Sequence, residues 1–252
     1  MHQIIALWSH PRSMSTALER VMRERGDLDC AHEPFMYDYY VNRSVREMPH
    51  FEVQEDHPHS YEGIRDMLLA RAEARPVFFK DMSYYVMPTI LEDEVFAARL
   101  TNCFLIRNPM AAIPSYFKLD PEVTLDEIGI EAQWRHYDAL KRAGQDPVVI
   151  EAEAVRGDAR RALAAMWDKI GLPFSETAFD WQGGPPKDWE QVGGWHNDVG
   201  ASTSIRPLTL DDILAQERRF FEQARGEPRM MAYLEHHLPY YLRLKAAAFA
   251  AY

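Results

Sequence analysis

The sequence predicts an α/β protein with a central parallel sheet between two layers of helices, a three-layer sandwich. Two observations lead to this fold class. Short apolar runs alternate with amphipathic helical patterns from residue 3 to residue 170, which is the order expected of parallel strands joined by crossover helices. The apolar runs are also nearly continuous, as expected for strands that are covered on both faces.

Each predicted strand is a short apolar run, and each predicted helix carries apolar residues spaced three and four apart. Gly171 follows the last of these helices in the position that favours a left-handed residue. In order along the chain, the predicted strands are Gln3–Trp8, Leu28–Ala31, Val77–Lys80, Thr101–Ile106 and Val148–Ile150, and the predicted helices are Thr16–Arg25, Tyr61–Ala74, Leu125–Ala143 and Asp158–Ile170.

Two long stretches, Pro34–Ser60 and Asp180–Pro207, show no periodicity. Loops of this length are uncommon unless they cover a functional site. They are therefore expected either to close over a site at the carboxyl edge of the sheet or to be plain surface excursions.

Composition and charge exclude several classes of protein. The chain has 252 residues, of which 47% are hydrophobic and 27% charged, a composition typical of a soluble globular protein. One domain, residues 1–252, is the expected organisation. The 28 Lys and Arg against 39 Asp and Glu give a net charge of −11. This argues against nucleic-acid and membrane-surface partners, but not against a small anion held by a few local cations.

The chain is expected to lie in the cytoplasm. No run approaches the roughly 20 apolar residues that span a bilayer. The apolar stretch Ile4–Trp8 is too short for a secretion signal and follows no basic segment. Cys30 and Cys103 lie in apolar runs, which predicts buried thiols in a reducing compartment.

The first candidate site is the segment between the first strand and the first helix. Its residues Pro11, Arg12, Ser13, Met14, Ser15 and Thr16 combine a cation, three hydroxyls and the free N–H groups of a helix start, which together favour an anion. It is not a Walker A loop, because the pattern GxxxxGK[ST] is absent. The alternative is a capping box formed by Thr16 and Glu19.

The second candidate site follows the fourth strand. Arg107 ends that strand, Pro109 suits the first position of a helix, and Ser115 comes two turns later. An Arg and a Ser in these positions can clamp one phosphate. The alternative is a surface charge beside a helix hydroxyl.

Together these motifs resemble the sulfotransferases that use 3′-phosphoadenylyl sulfate (PAPS), most closely the carbohydrate-type and bacterial members. The family's 5′-phosphosulfate loop reads Pro-(Lys/Arg)-Ser-Gly-(Thr/Ser)-(Thr/Ser), and residues 11–16 stand in its place. Its 3′-phosphate motif is Arg-x-Pro with a Ser eight residues after the Arg, which Arg107, Pro109 and Ser115 match. The resemblance covers about residues 1–175 and implies a P-loop NTPase-like fold, with PAPS held by Pro11, Arg12, Ser13, Met14, Ser15, Thr16, Arg107 and Ser115.

The chain departs from the family pattern in three places. Met14 replaces the family's glycine, and Pro114 lies inside the second phosphate helix, which it is expected to distort. The Arg-Lys-Gly motif of the cytosolic members is absent, and Trp189 or Trp195 is expected to meet the adenine instead.

Two further residues carry the chemistry that the resemblance implies. Glu33, in the sequence His32-Glu33-Pro34-Phe35, matches a Glu-Pro whose carboxylate is the general base for the acceptor hydroxyl; the alternative is a solvated loop residue. Strand alternation places His32 and Glu33 on opposite faces. Lys80, which ends the third strand, is expected to join Arg12 in stabilising charge on the leaving phosphate; the alternative is an exposed lysine. No metal is expected, because the histidines do not form a ligand set.

The sequence therefore predicts an enzyme that moves a sulfuryl group from PAPS to the hydroxyl of a small-molecule acceptor entering under the Pro34–Ser60 loop. One alternative is a P-loop-type small-molecule kinase, which the missing Walker lysine disfavours. Another is a non-catalytic nucleotide-binding protein of the same fold. The sequence identifies neither the acceptor nor the oligomeric state.

Overall fold

A computed structural model of the chain describes residues 2–181, 184, 186, 188, 189, 191, 192 and 204–249. Five strands form one parallel sheet in the order β2-β3-β1-β4-β5. They are β1 (Ile4–Ser9), β2 (Asp29–His32), β3 (Val77–Met82), β4 (Leu100–Ile106) and β5 (Val148–Glu151).

Helices connect the strands and follow the last of them. They are α1 (Ser15–Glu24), α2 (Tyr61–Ala74), α3 (Ser83–Val86), α4 (Thr89–Glu92), α5 (Glu94–Ala97), α6 (Pro109–Phe117), α7 (Ile130–Arg142), α8 (Ala152–Gly157), α9 (Ala159–Lys169), α10 (Leu210–Ala224) and α11 (Arg229–Ala247).

The predicted fold class, a parallel sheet flanked by helices, is confirmed. Every residue of β1 and β3 is buried, which is why both strands begin with continuous apolar runs rather than alternating ones. In the register of β2 and β3, Asp29 lies opposite Val77 and His32 lies opposite Lys80. The pairing therefore brings the ends of two strands to the same edge.

The chain divides into two compact units. The first comprises Met1–Trp8, Ser15–Cys103 and Ser175–Ser204, and the second comprises Ser9–Met14, Phe104–Phe174 and Ile205–Tyr252. The organisation of residues 1–252 as one domain stays a prediction.

The core of the first unit forms around β1 and β3. The indole of Trp8 meets the ring of Phe79 edge-on, with ring centres 5.4 Å apart. Its Nε1–H donates to Asn102 at 2.7 Å, so the one polar atom of this buried ring has a partner. Ser60 caps α2 by accepting from the backbone N–H of Gly63 at 3.1 Å, which fixes where the helix starts.

In the second unit, α6 begins at Pro109 and is capped by Asn108, which accepts from the N–H of Met110 at 3.0 Å. Pro114 does not end this helix, which continues to Phe117. The predicted helix Leu125–Ala143 is divided: a 3₁₀ turn ends at Gly129, whose φ of 79° is left-handed, and α7 follows. Left-handed backbone interrupts a helix and is accessible to glycine without strain.

The helices after β5 were only partly predicted. Gly171, with a φ of 74°, follows α9 in the left-handed conformation that its position predicts. α10 and α11 were not predicted, although Thr209 and Asp212 form a capping box at the start of α10, a pattern that the sequence contains.

No helix in the described ranges has both the length and the apolar character needed to cross a membrane; the cytoplasmic location stays a prediction. Cys30 is half-buried, Cys103 is buried, and both are free thiols. Burial raises the pKa of each thiol to about 12, so both are protonated and unreactive at neutral pH.

Candidate active site

The loop after β1 has an unusual backbone. Arg12 and Met14 have φ values of 62° and 76°, in the left-handed region that non-glycine residues rarely adopt. Two such residues in one short loop indicate strain of the kind held at functional sites. Met14 therefore adopts a left-handed conformation that glycine adopts without strain.

In the second unit, two hydrogen bonds link Arg12, Arg107 and Ser115, which the sequence assigns to two separate phosphate motifs. Nε of Arg12 donates to Oγ of Ser115 at 2.9 Å. Nη1 of Arg107 donates to the backbone carbonyl of Arg12 at 2.7 Å. Pro114 leaves this geometry intact, since Ser115 is in place one residue later.

Arg107 is held in a setting that disfavours its own charge. Burial, and after it the charges of Arg156 and Arg12, lower its pKa to about 10, although the charge of Glu153 acts in the opposite direction. Within the part of the chain that the structure describes, no carboxylate lies within salt-bridge distance of Arg107. A guanidinium that is half-buried beside like charges favours an anionic ligand.

His10 supports this cluster and was not assigned a role from the sequence. It is fully buried, and its Nε2 accepts from the backbone N–H of Arg107 at 3.0 Å, while Nδ1 lies 3.1 Å from the carbonyl of Pro11. Burial lowers its pKa to about 3, so the ring is neutral at pH 7 with its proton on Nδ1. The hydroxyl of Ser13, also buried, has no hydrogen-bond partner among the described residues. An orphaned buried hydroxyl is costly unless a ligand satisfies it.

In the first unit, Glu33 and Lys80 form a buried ion pair. Nζ of Lys80 lies 2.5 Å from Oε1 of Glu33, and the two side chains are 1% and 6% exposed, respectively. The same ammonium lies 3.4 Å from Oγ of Ser15 and 3.3 Å from Oγ1 of Thr16. The alternatives of a solvated Glu33 and an exposed Lys80 are therefore wrong.

The capping-box alternative for the first motif is also wrong. α1 begins at Ser15, so Thr16 lies inside the helix rather than at its N-cap. The carboxylate of Glu19 instead accepts from Nε1–H of Trp189 at 3.0 Å and pairs with Nδ1 of His32 at 2.6 Å.

A tight turn after β2 places Glu33. Its φ is 43°, and its N–H donates to the carbonyl of Lys80 at 3.0 Å. The buried carboxylate of Asp81 holds the turn by accepting from the N–H groups of Phe35 at 2.7 Å and Met82 at 2.9 Å. Burial, together with the charge of Glu33, raises the pKa of Asp81 well above its usual value.

The expectation that His32 and Glu33 lie on opposite faces is wrong. Nε2 of His32 is 4.0 Å from Oε1 of Glu33, because β2 ends at His32 and the left-handed turn at Glu33 interrupts the alternation. The assignment of Trp189 to adenine is wrong as well. Its ring is 1% exposed and packs beside His32, which leaves no face for a base. Trp195 lies outside the described residues.

The Pro34–Ser60 stretch contains a π-helical turn, Asp38–Asn42, and is held through Tyr37. The hydroxyl of Tyr37 donates to Gln191 at 2.7 Å and accepts from the N–H of Gln54 at 3.2 Å, and its ring stacks on His57 with ring centres 3.8 Å apart. Among the described residues, no group of three or more His, Cys, Asp or Glu side chains is placed to hold a metal ion.

Comparison with known proteins assigns the sequence to one family. The sequence pattern of the family described as "Sulfotransferase domain" matches residues 2–222, and the chain belongs to this family. Among solved structures, the sulfotransferase domain from the curacin biosynthetic pathway is similar, with a TM-score of 0.54 and 15% identity, covering 89% of this chain and 98% of that domain. At this identity the likeness shows the fold.

Two proteins of Arabidopsis thaliana are similar in sequence. Branched-chain-amino-acid aminotransferase-like protein 2 is 25% identical over 228 residues, which cover 85% of this chain and 40% of that protein. Branched-chain-amino-acid aminotransferase-like protein 1 is 26% identical over 209 residues, or 81% of this chain and 36% of that protein. The chain thus spans about two fifths of the length of these relatives.

Proposed function

We propose that the protein is a PAPS-dependent sulfotransferase that acts on a hydroxyl of a small-molecule acceptor. The observation that carries the proposal is the state of Arg107. Its guanidinium is half-buried beside like charge and has no carboxylate partner in the described ranges. A 3′-phosphate dianion supplies the charge that this position lacks, and the hydroxyl of Ser115 is an additional donor.

The loop from Pro11 to Thr16 is proposed to hold the 5′-phosphosulfate. Arg12 supplies a cation, and the buried hydroxyl of Ser13 supplies a donor that has no partner within the described residues. The left-handed backbone at Arg12 and Met14 and the start of α1 at Ser15 fit a loop that turns its N–H groups to an anion.

The reaction is an in-line displacement at sulfur. The acceptor oxygen forms the new O–S bond as Glu33 takes its proton, and the S–O bond to the 5′-phosphate breaks. The bridging oxygen leaves with 3′,5′-ADP, on which Arg12 and Lys80 stabilise the developing charge. No metal takes part in this scheme, because the cations are side chains.

The ion pair between Lys80 and Glu33 sets the order of events. A carboxylate oxygen held by an ammonium at 2.5 Å is occupied by that contact and does not face an acceptor hydroxyl while the contact lasts. When the donor's sulfate or phosphate draws Lys80 away from Glu33, the carboxylate becomes available to the acceptor. Donor binding therefore precedes activation of the hydroxyl, which enters under the Pro34–Ser60 loop.

The test uses ³⁵S-labelled PAPS with a panel of phenols, sugars and aliphatic alcohols, followed by Glu33→Gln. The substitution keeps the shape and removes the proton acceptor. Turnover is expected to fall about 10²–10⁴-fold, with affinity for 3′,5′-ADP unchanged within a few fold. Glu94→Gln, at an exposed position of α5, is the matched control and is expected to keep full activity.

Two results contradict the proposal, and a third contradicts only the role of Glu33. Phosphoryl transfer from ATP with Mg²⁺ would identify a kinase. Binding of 3′,5′-ADP without sulfuryl transfer to any acceptor would identify a non-catalytic nucleotide-binding protein. Full turnover by Glu33→Gln would leave PAPS chemistry in place and move the base to another residue.

A further inference from the structure

A second buried acid–base pair lies behind Glu33 and has no role in the reaction as described so far. It consists of Glu19, on α1, and His32, the last residue of β2, and both side chains are fully buried. The carboxylate of Glu19 receives three donors: Nδ1 of His32 at 2.6 Å, Nε1 of Trp189 at 3.0 Å and the guanidinium of Arg23 at 2.7 Å.

These contacts fix the tautomer of His32. An ionised carboxylate only accepts hydrogen bonds, so the nitrogen that faces Glu19, Nδ1, carries the ring proton. Nε2 then carries a lone pair, and it lies 4.0 Å from Oε1 of Glu33. The ring is therefore held with its proton acceptor 4.0 Å from the proposed base, a distance that has to shorten for a proton to pass between them.

The charges around the ring keep it neutral in the resting protein. Burial, and after it the charges of Lys80 and Arg23, hold the pKa of His32 well below its usual value, although Glu33 acts in the opposite direction. The charged groups that face the ring are Glu33 at the end of β2, Lys80 from β3, and Glu19 and Arg23 from α1; Trp189 covers it with an uncharged ring.

The reaction leaves a proton on Glu33, a buried residue from which that proton has to depart before the next turnover. Resting on the proposed function, we propose that His32, held by Glu19, is a positioning residue that accepts this proton from Glu33. The acceptor O–H bond breaks and Glu33 is protonated; the proton then passes to Nε2 of His32. The resulting imidazolium keeps its Nδ1–H on the carboxylate of Glu19, and the proton on Nε2 leaves through Glu33, the more exposed of the two side chains, once the products have departed.

The pair of Glu19 and His32 suits this role because a buried carboxylate stabilises an imidazolium that forms beside it. Burial opposes protonation of the ring most strongly, and the charge of Lys80 comes second. Movement of Lys80 from Glu33 to the donor removes this second effect. His32 is thus neutral before the donor binds and better able to accept a proton afterwards.

The first test needs no turnover. In protein labelled with ¹⁵N at histidine, the ring of His32 is expected to show the proton on Nδ1 and a lone pair on Nε2 at pH 7. Glu33→Gln is expected to shift the Nε2 resonance and leave Nδ1 bonded to Glu19. The inference is overturned if Nε2 carries the proton, or if the chemical shift of Nε2 is the same in Glu33→Gln as in wild type. Failure of sulfuryl transfer leaves this result unaffected, so the two proposals are tested separately.

The second test is His32→Asn. The amide nitrogen of asparagine reaches the place of Nδ1 and keeps the bond to Glu19, whereas nothing replaces Nε2. The expected result is a fall in kcat of roughly 10- to 10²-fold, smaller than the loss of the base itself, with a displaced acidic limb of the kcat–pH profile and an unchanged Kd for 3′,5′-ADP. His2→Asn, at an exposed position outside this site, is the control.

Unchanged kcat and an unchanged pH profile in His32→Asn contradict the inference, as does an equal loss of 3′,5′-ADP binding, which indicates a structural role. Should His32→Asn fail to fold, Glu19→Gln retains the shape of the carboxylate and removes the charge that stabilises the imidazolium. It is expected to lower kcat with unchanged 3′,5′-ADP binding, and wild-type kcat in that variant overturns the inference.

Discussion

Removal of the ammonium of Lys80 is expected to destabilise the protein strongly. Lys80→Met keeps the apolar stem but leaves the carboxylate of Glu33, 6% exposed, without the cation that lies 2.5 Å away. Breaking a buried ion pair from one side costs about 3–5 kcal/mol. For a chain of this length, about 2–4 °C per kcal/mol gives a fall in Tm of roughly 6–20 °C.

The reverse substitution is expected to cost less. Glu33→Gln leaves Lys80 with the hydroxyls of Ser15 at 3.4 Å and Thr16 at 3.3 Å, so its charge keeps polar partners. A loss of about 1–3 kcal/mol is expected. The double variant removes both charges. Its loss in free energy of unfolding should be smaller than the sum of the two single losses by at least about 1.5 kcal/mol.

Urea denaturation at pH 7 measures all three free energies of unfolding, with the m value checked for constancy. Lys118→Met, at an exposed lysine after α6, is the matched control and is expected to lie within about 0.5 kcal/mol of wild type. Losses below about 1 kcal/mol for Lys80→Met, with no coupling in the double variant, would show that water separates the pair and would refute the reasoning.

Two further predictions concern the loop and pH. Met14→Gly removes a side chain from a backbone with φ of 76° and is expected to raise the free energy of unfolding by about 0.5–1 kcal/mol. Met110→Gly in α6 is expected to lower it by about 1 kcal/mol. Equal losses in the two variants would show that the backbone at Met14 is not strained. His136 is buried, and burial lowers its pKa in the folded protein to about 3, below the unfolded value near 6.5. Its contribution to stability is therefore complete above pH 6.5 and lost as pH falls toward 3, by about 1.4 kcal/mol per pH unit. His136→Gln should reduce the slope of stability against pH between 6 and 4 by about that amount, and an unchanged slope would contradict the assignment.

Much of the fold followed from periodicity. The strands were predicted within two residues at each end, because buried parallel strands are marked by continuous apolar runs. The helix across Gly129 was predicted unbroken, since the left-handed φ of that glycine depends on the packing of the chain around it. α10 and α11 were missed, although the capping box at Thr209 marks the start of the first of them.

The candidate site was predicted in residue type but not in contacts. The sequence assigned Arg12 to one phosphate motif and Arg107 with Ser115 to another, whereas the structure joins the three residues by two hydrogen bonds. Spacing alone does not reveal that Lys80 pairs with Glu33.

The residues that position these groups could not be predicted from the sequence, because their partners are distant along the chain. His10 bonds to a backbone N–H 97 residues away, and Glu19 meets Trp189 from 170 residues away. Such pairs form only when the sheet is assembled. Nor does strand alternation anticipate the turn at Glu33, whose φ of 43° places its carboxylate near the ring of His32.

Calorimetry with 3′,5′-ADP and 5′-AMP tests the central claim most directly, because the two ligands differ in the 3′-phosphate assigned to Arg107. The wild-type protein is expected to bind 3′,5′-ADP more tightly. Arg107→Ala should weaken that binding by about 1.5–3 kcal/mol and hardly change binding of 5′-AMP, whereas Arg142→Ala, a control for net charge on α7, should change neither. Equal losses for both ligands in Arg107→Ala, or no preference for 3′,5′-ADP in wild type, would contradict the assignment of PAPS as the donor.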